Sequence, residues 1–476
     1  MHGSALSNAR WIAVSRVVSI GVQLLGLLWL SRLLSPADYG LVAMATVVTN
    51  LANLVRDMGT TQALIQREGL NEETILTAFW FTVAIGGVLG VVVALLAPLV
   101  ALAFEAPGVT GIVLLLAVSF PVLGSTTVHQ ALLERDSRFP LLARVEVVAG
   151  VSGLTVGVIA AHLGAGAYSL ALNSVVYAIV SSTQLWLASP VKPRWLWNRH
   201  ELRGIRQFSD YLVGFNLIVY LYTNAPSMII GRFLGPESLG LYSLASKIVD
   251  FPVTNLTFVA SRALFPVMSR QQEAPEEMAA LYLRSLTLVA FVVAPMMAGL
   301  VVLREPFIEV ALSSKWLPMA DVLRWLAAVG FVHSLTCTTG SLLMARGRTD
   351  LLFYLSIAHV ILAVPAFIIG LRWGVAGVAA GHLVAAVIDA ILCFYVVLRV
   401  LGKNIGTFLQ SILTPIALTT VMVVVVVLCQ GMLTVNDMSA LAHLVGLVIV
   451  GAATYGILAW VFVRPSLQDV FRFFRR

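Results

Sequence analysis

Residues 31–45 read SRLLSPADYGLVAMA, and residues 231–245 read GRFLGPESLGLYSLA. At a constant offset of 200, Arg32, Leu34, Pro36, Gly40, Leu41 and Ala45 recur as Arg232, Leu234, Pro236, Gly240, Leu241 and Ala245. Farther along, the offset becomes 210. Leu132, Leu133, Arg138, Leu141 and Leu142 then return as Leu342, Leu343, Arg348, Leu351 and Leu352. The chain is therefore an internal duplication. What duplicates is a membrane bundle, because apolar residues make up 59% of the chain, charged residues 11%, and mean hydropathy is +0.94. A soluble domain carries about 25% charged residues. Duplicated membrane bundles are a common build for secondary transporters, with the substrate site where the repeats meet.

Apolar stretches of spanning length fall at 10–33, 39–58, 74–102, 109–133, 141–162, 166–189, 207–231, 238–262, 281–303, 319–344, 351–371, 375–398, 408–430 and 440–463, fourteen in all. The expected fold is an all-α polytopic membrane protein. Spans 1–6 and 7–12 form two parallel six-helix repeats, and spans 13 and 14 lie outside them. The expected division is an N-terminal lobe (1–190), a basic linker (191–206), a C-terminal lobe (207–400), and two further helices with a basic tail (401–476). The start, MHGSALSNARW, shows no basic n-region with a cleavage site, so no cleavable signal peptide is expected.

The net charge of +7 is explained by topology. With the N-terminus inside, twenty Lys and Arg fall on the cytoplasmic side. Five, Arg32, Arg232, Arg304, Lys315 and Arg372, fall outside. This positive-inside bias is expected to place both termini in the cytoplasm. Lipid head groups account for the remaining basic attraction, and nucleic-acid binding is not needed. The linker KPRWLWNRHELRGIRQ is basic and Trp-rich, as expected at the interface. Cys337, Cys393 and Cys429 lie far apart in apolar segments, a packing pattern with no metal spacing.

Ionisable residues within spans are costly, about 2.5–3.5 kcal/mol each near the centre on insertion scales, and usually face a bundle interior or water-filled cavity. Span 1 carries Arg16, Ser19 and Gln23. Span 2 carries Thr46, Thr49, Asn50, Asn53 and Arg56. Span 7 carries Asn216, Tyr220, Thr223, Asn224 and Ser227. Span 8 carries Ser243, Ser246, Lys247, Asp250, Thr254 and Thr257. Each set forms one stripe at helical spacing, and these are the first two helices of each repeat. The pattern implies a polar cleft bounded by spans 1, 2, 7 and 8. The competing reading is helix-to-helix hydrogen bonding, or for Lys247 and Asp250 an ion pair on one helix.

Spans 4 and 10 also correspond, with Ser125, Thr126, Thr127, His129 and Gln130 against Thr336, Cys337, Thr338, Thr339 and Ser341. Hydrogen bonding between helices is the expected role. His382 and Asp389, seven apart in span 12, form with Asp250 the candidate ion-coupling set for H+ or Na+. His333, His359 and His162 read as ordinary packed or interfacial residues. Pro226 and Pro252 would bend the cavity helices of the second repeat, where the first repeat has Gly26 and Ala52.

Catalysis is disfavoured. The first outer loop is only SPAD, there is no GxxxxGK[ST] phosphate loop, and no nucleophile stands with a base. The longest outer loop, 304–318, reads as a short interfacial helix. An enzyme of glycan assembly would need more than this.

Three features together resemble the polysaccharide transporter family of Wzx-type flippases, in the multidrug/oligosaccharidyl-lipid/polysaccharide superfamily. They are the fourteen spans as two sixes plus two, the R-x-L-x-P-x-x-x-G-L signature at Arg32–Leu41 and Arg232–Leu241, and the RDMGTTQALIQRE segment at Arg56–Glu68. The resemblance covers nearly the whole chain and is strongest to the colanic-acid-exporter-like branch. It implies a two-lobe bundle that moves undecaprenyl-diphosphate-linked oligosaccharide across the inner membrane by alternating access, without catalysis. It also implies a cationic cavity, matched here by Arg16, Arg56 and Lys247. Expected partners are a polysaccharide polymerase and a chain-length regulator. The alternative within the superfamily is a cation-coupled multidrug antiporter, which would want a more acidic and aromatic cavity.

Overall fold

In the computed structural model, residues 2–57, 61, 64–65, 69–189, 191, 193–270, 275–432 and 439–462 are described. Of these, 2–17, 57, 199–219, 256–267, 269, 270 and 275 are described as backbone alone. The described residues form helices and turns, with one helix for each expected span. These are α1 (His2–Leu33), α2 (Pro36–Asp57), α3 (Glu72–Phe104), α4 (Val109–Ala117, Ser119–Gly124 and Thr127–Arg135), α5 (Phe139–His162) and α6 (Ala167–Ala188). The segment Arg199–Arg270 supplies α7 and α8, which meet at Gly235. Then follow α9 (Pro275–Val302), α10 (Ala320–Thr336 and Thr339–Ala345), α11 (Thr349–Gly370), α12 (Gly374–Leu401), α13 (Ile405–Met432) and α14 (Ala440–Phe462).

The chain divides into two compact units, Met1–Gly240 and Leu241–Arg476. The sequence-based division at 190–206 follows the repeat. The compact division falls at the second copy of the motif instead, because that copy packs on the first. The helices pair in the same way in both units. In the first, α5 lies along α6 and α6 along α4. In the second, α11 lies along α12 and α12 along α10.

Local sequence accounts for the helix ends. Asn71 caps α3, its Oδ1 accepting from the Thr74 amide at 2.9 Å, and Glu72 and Glu73 complement the helix dipole. The outward faces are apolar, as lipid requires. Leu95, Leu102, Leu413 and Leu428 are exposed. The interior is small and apolar, with Leu64, Phe79 and Val128 clustered in the first unit. Met278, Tyr282, Leu342 and Val397 cluster in the second. The two helices outside the repeat pack on α9 through Leu303, Met422, Leu447 and Tyr455, and the Tyr455 hydroxyl donates to Phe291 O at 2.8 Å.

One expectation needs correction. The loop 304–318 is not a lipid-surface helix. It is a run of short helical turns (Arg304–Phe307, Ile308–Leu312 and Ser314–Met319), with Ile308, Leu312, Trp316 and Met319 buried. Its apolar side chains face protein, which offers a large indole closer packing than a lipid surface. Pro226 and Pro252 keep helical dihedrals, and Gly235 (φ 80°, ψ −179°) makes the turn between α7 and α8. That backbone region belongs almost solely to glycine.

Candidate functional site

The repeated motif builds two helix starts. In the first copy, the Ser35 amide and hydroxyl donate to Asp38 Oδ2 at 2.9 and 2.6 Å, and the Asp38 amide donates back to Ser35 Oγ at 3.2 Å. This is a reciprocal capping box with Pro36 at the first helical position. Both copies of the motif fall in the first unit as far as Gly240, and they touch each other. A Cβ added at Gly40 would stand 1.7 Å from Pro236 O, and one added at Gly240 would stand 1.7 Å from Pro36 O. Each proline carbonyl thus lies against the opposite glycine, the arrangement of Cα–H···O contacts between closely packed helices. The contact is braced from α3. Arg232 Nη1 pairs with Glu105 Oε1 at 2.7 Å, and the Phe104 ring packs against Gly231.

From this junction run the helices with the polar stripes. In the first unit, Tyr220 on α7 donates its hydroxyl hydrogen bond to Val47 O on α2. Asn224 bonds back to Tyr220 O at 3.0 Å, and Thr223 does so at 3.1 Å. Gln23, Asn50 and Thr223 are exposed, and Asn53, Arg56 and Asn224 are half-buried. Ser19 is buried, and among the described residues its hydroxyl has no partner. The side chains of Arg16, Asn216 and Thr257 lie outside the described residues. In the second unit, Lys247, Asp250 and Thr254 share one exposed face of α8. Lys247 and Asp250 are both exposed. The Thr254 hydroxyl donates to Asp250 O at 2.6 Å. Several stripe hydroxyls and the Asn224 amide are thus satisfied on their own helix, whereas the side chains of Gln23, Asn50, Lys247 and Asp250 are exposed.

The matched polar clusters in α4 and α10 mark helix breaks, which the sequence reading did not anticipate. The α4 pieces bend by 46° between Gly124 and Thr127, and α10 is interrupted at Cys337 and Thr338. The Ser125 and Thr126 hydroxyls donate to Val122 O and Leu123 O at 2.7 and 3.0 Å beside the bend, and Leu123 O also takes the Thr126 amide at 3.1 Å. The expected bonds between helices are present as well. Trp186 Nε1 donates to Ser125 Oγ at 3.2 Å, and Ser182 Oγ lies 3.4 Å from Thr126 Oγ1. His129 is fully buried against Trp186 and Phe79, and its ring nitrogens have no partner. The runs of Ser and Thr at the same place in both repeats were the available signal.

The histidines also group. His382 bonds Tyr242, His359 pairs with Asp389, and His333 lies between His382 and His359. Sequence reasoning kept His382 and Asp389 and assigned His333 and His359 to packing. Asp250 lies apart on α8, on the helical face of Tyr242 and Ser246. Among the described residues, no three His, Cys, Asp or Glu side chains converge on a metal position.

Two further features complete the site. Beside α9, helices α13 and α14 enclose an apolar cavity of about 500 Å³ lined by Met296, Leu300, Phe307, Met422, Leu447 and Tyr455. The linker lies along the start of α3, where Trp80 Nε1 donates to Arg194 O at 2.9 Å and Asn198 Nδ2 to Glu73 Oε1 at 2.9 Å. Trp195 stacks near Trp80 at 4.8 Å and stays 78% exposed, as a membrane-interface anchor does.

Known proteins share this architecture. The chain is 27% identical over 427 residues to the lipopolysaccharide biosynthesis protein WzxC of Escherichia coli, covering 88% of this chain and 86% of that one. It is 26% identical over 420 residues to the teichuronic acid biosynthesis protein TuaB of Bacillus subtilis, covering 88% and 87%. Among solved structures, the lipid II flippase MurJ in an inward closed conformation superposes with a TM-score of 0.79 at 14% identity, over 96% of this chain and 99% of that one. An inward-facing multidrug transporter of the MATE family gives 0.63 at 16% identity, over 80% and 94%. Residues 29–321, more than half of the chain and including both copies of the motif, match the polysaccharide biosynthesis protein family, and the chain belongs to it.

Proposed function

We propose that this membrane protein is a flippase that moves an undecaprenyl-diphosphate-linked oligosaccharide from the cytoplasmic to the outer leaflet of a bacterial inner membrane by alternating access. The observation that carries the reading is the exposed cation Lys247, held mid-helix in a family of polysaccharide biosynthesis proteins. A diphosphate and its sugars cannot enter hydrocarbon without replacing their hydration. Lys247 and Arg16 offset phosphate charge. Gln23, Asn50, Asn53 and Asn224 offer donors and acceptors to sugar hydroxyls. The apolar cavity beside α13 and α14 has the size and lining for a hydrocarbon chain. Multidrug transporters share the fold, but the relatives that match most of the chain are named for polysaccharide pathways. Both termini face the cytoplasm in this reading, and a polysaccharide polymerase and chain-length regulator receive the product.

Loss of a charge-assisted phosphate contact costs about 1.5–3 kcal/mol, so Lys247→Ala and Arg16→Ala should each lower export of surface polysaccharide about tenfold or more at unchanged protein level. Polysaccharide quantification on cells carrying each variant checks this. Normal export in both rejects the head-group role, and a gain or loss of drug resistance instead points to the antiporter.

A further inference from the structure

The second unit carries a buried line of titratable side chains that the substrate site above does not use. His359 Nδ1 on α11 lies 3.3 Å from Asp389 Oδ2 on α12, and the two side chains are 12% and 14% exposed. The His359 ring centroid is 6.4 Å from that of His333 on α10. The His333 ring is 5.5 Å from that of His382 on α12. His382 Nδ1 lies 3.0 Å from the Tyr242 hydroxyl on α8. The Cys393 thiol, one turn beyond Asp389, lies 3.9 Å from its carboxylate. Four helices contribute, so the line crosses the unit from α8 to α11 and α12.

The neighbouring helices add few other titratable groups. From α9 comes Tyr282, whose hydroxyl is 3.4 Å from Thr339 Oγ1. From α10 comes Cys337, at the break. On α8, Asp250 lies on the face of Tyr242, two helical repeats of four farther on. Among the described residues, Asp389 makes no ion pair with Lys or Arg.

Charge balance then limits what this line does. A carboxylate held mid-span needs a compensating proton, either on itself or on an imidazole beside it. His359 is the group placed to share it. Once that proton is present, a second imidazolium about 6 Å away in a weakly polar interior is strongly opposed. Such a set titrates as a unit and not as independent histidines. The donors are strung out along a line, an arrangement that suits a proton. The middle of the line also lies beside a mechanical break. The Thr336 hydroxyl donates to His333 O at 3.1 Å, and α10 is interrupted just beyond.

We propose that His359 and Asp389 bind one exchangeable proton, and that His333, His382 and Tyr242 couple its presence to α8, the helix of Lys247 and Asp250. This rests on the reading of the chain as a transporter. One proton enters from water and the same proton returns to water, with no bond made to substrate. The coupling ion in this proposal is H+.

The first measurement needs no substrate. Purified full-length protein and Asp389→Asn are titrated potentiometrically from about pH 5 to about pH 9. The variant lacks the carboxylate that shares the proton, so its titration curve should differ in shape from that of the wild type, and superimposable curves overturn the proposal. In proteoliposomes, a short-chain polyprenyl-diphosphate N-acetylglucosamine serves as the flipped probe. An imposed pH gradient should accelerate its flipping by the wild type, and Asp389→Asn and His359→Gln should lose that acceleration. Variants that respond as the wild type does, or a wild type accelerated only by a sodium gradient, overturn the proposal. A wild type that titrates as expected but leaves the probe unflipped overturns the transporter reading instead. If Asp389→Asn does not fold, Tyr242→Phe removes only the hydroxyl that reaches His382. It should keep the wild-type titration and lose most of the gradient response, and a full response overturns the coupling role.

Discussion

The two copies of the motif are spelled alike and start their helices by different means. The first, at Ser35, closes a reciprocal bond set with Asp38, so that side chains satisfy the orphan amides of α2. The second has Gly235 at the equivalent position and turns the chain through backbone freedom alone. Two of the residues that the copies share, the proline and the glycine four residues on, form the element that touches. At that element each copy is the other's partner, whereas the means of starting the helix differs between them. The same contrast holds between α4 and α10. Both break in a run of hydroxyl residues, but the first places a partnerless His129 beside its break, and the second places His333 in a bonded line.

The strongest way to break the shared contact is a methyl group. At 1.7 Å from a carbonyl oxygen, the Cβ of Gly40→Ala or Gly240→Ala leaves no room, and the obstacle is backbone, which cannot swing aside as a side chain does. Each substitution should cost about 3 kcal/mol or force the two motif copies apart. Gly21→Ala and Gly456→Ala serve as controls, because nothing lies within 4 Å of either added Cβ. They should be neutral, or stabilising by up to about 1 kcal/mol. Thermal unfolding in detergent compares the four variants. Equal behaviour of Gly40→Ala and Gly21→Ala would remove the contact from the account.

That contact was half legible in advance. The recurrence of Arg, Leu, Pro, Gly and Leu at fixed spacing announced a duplication, and hydropathy with the positive-inside bias gave the spans and their order. A fixed spacing does not say that the two copies meet, since pairing of distant segments leaves no periodicity. The site divided in the same way. Polar stripes on α1, α2, α7 and α8 follow from helical phase, which is local. The bond from Tyr220 to Val47 joins residues far apart in sequence, and no phase argument reaches it. His382 and Asp389 were found because they share one face of one helix. His359 and His333 are on other helices, and single histidines in apolar spans give no local signal of company.

Exchanging the helix starts sharpens the comparison at intermediate size. Gly235→Ser puts a side chain into a backbone region that strains any residue but glycine, with a cost of about 1–3 kcal/mol. Ser35→Gly loses the hydroxyl of the capping box but keeps a tolerated cap residue, for a few tenths of a kcal/mol. Asp38→Ala removes the acceptor of both Ser35 donors and should cost about 1 kcal/mol. The order Gly235→Ser, then Asp38→Ala, then Ser35→Gly is the expected order of lost thermal stability. The reverse order for the first and last would mean that side-chain capping, and not backbone geometry, decides both copies.

The smallest effect should come from the brace. Arg232 and Glu105 pair at 2.7 Å but are 42% and 69% exposed, and Arg232 also lies 5.8 Å over the Phe233 ring. Exposed pairs are worth between nothing and about 1 kcal/mol, because water screens them and two long side chains must be held. Glu105→Gln keeps the shape and removes the charge, so it should cost under about 1 kcal/mol at low salt and less at high salt, where the Debye length shrinks. Glu105 has a further duty, however, as the left-handed residue that ends α3. Asn adopts that backbone more readily than most residues, so Glu105→Asn loses the pair but recovers part of the cost. If stability measured against salt falls in parallel for wild type and Glu105→Gln, the ion pair contributes nothing. The close approach of the two glycines is then enough to hold the motif copies together.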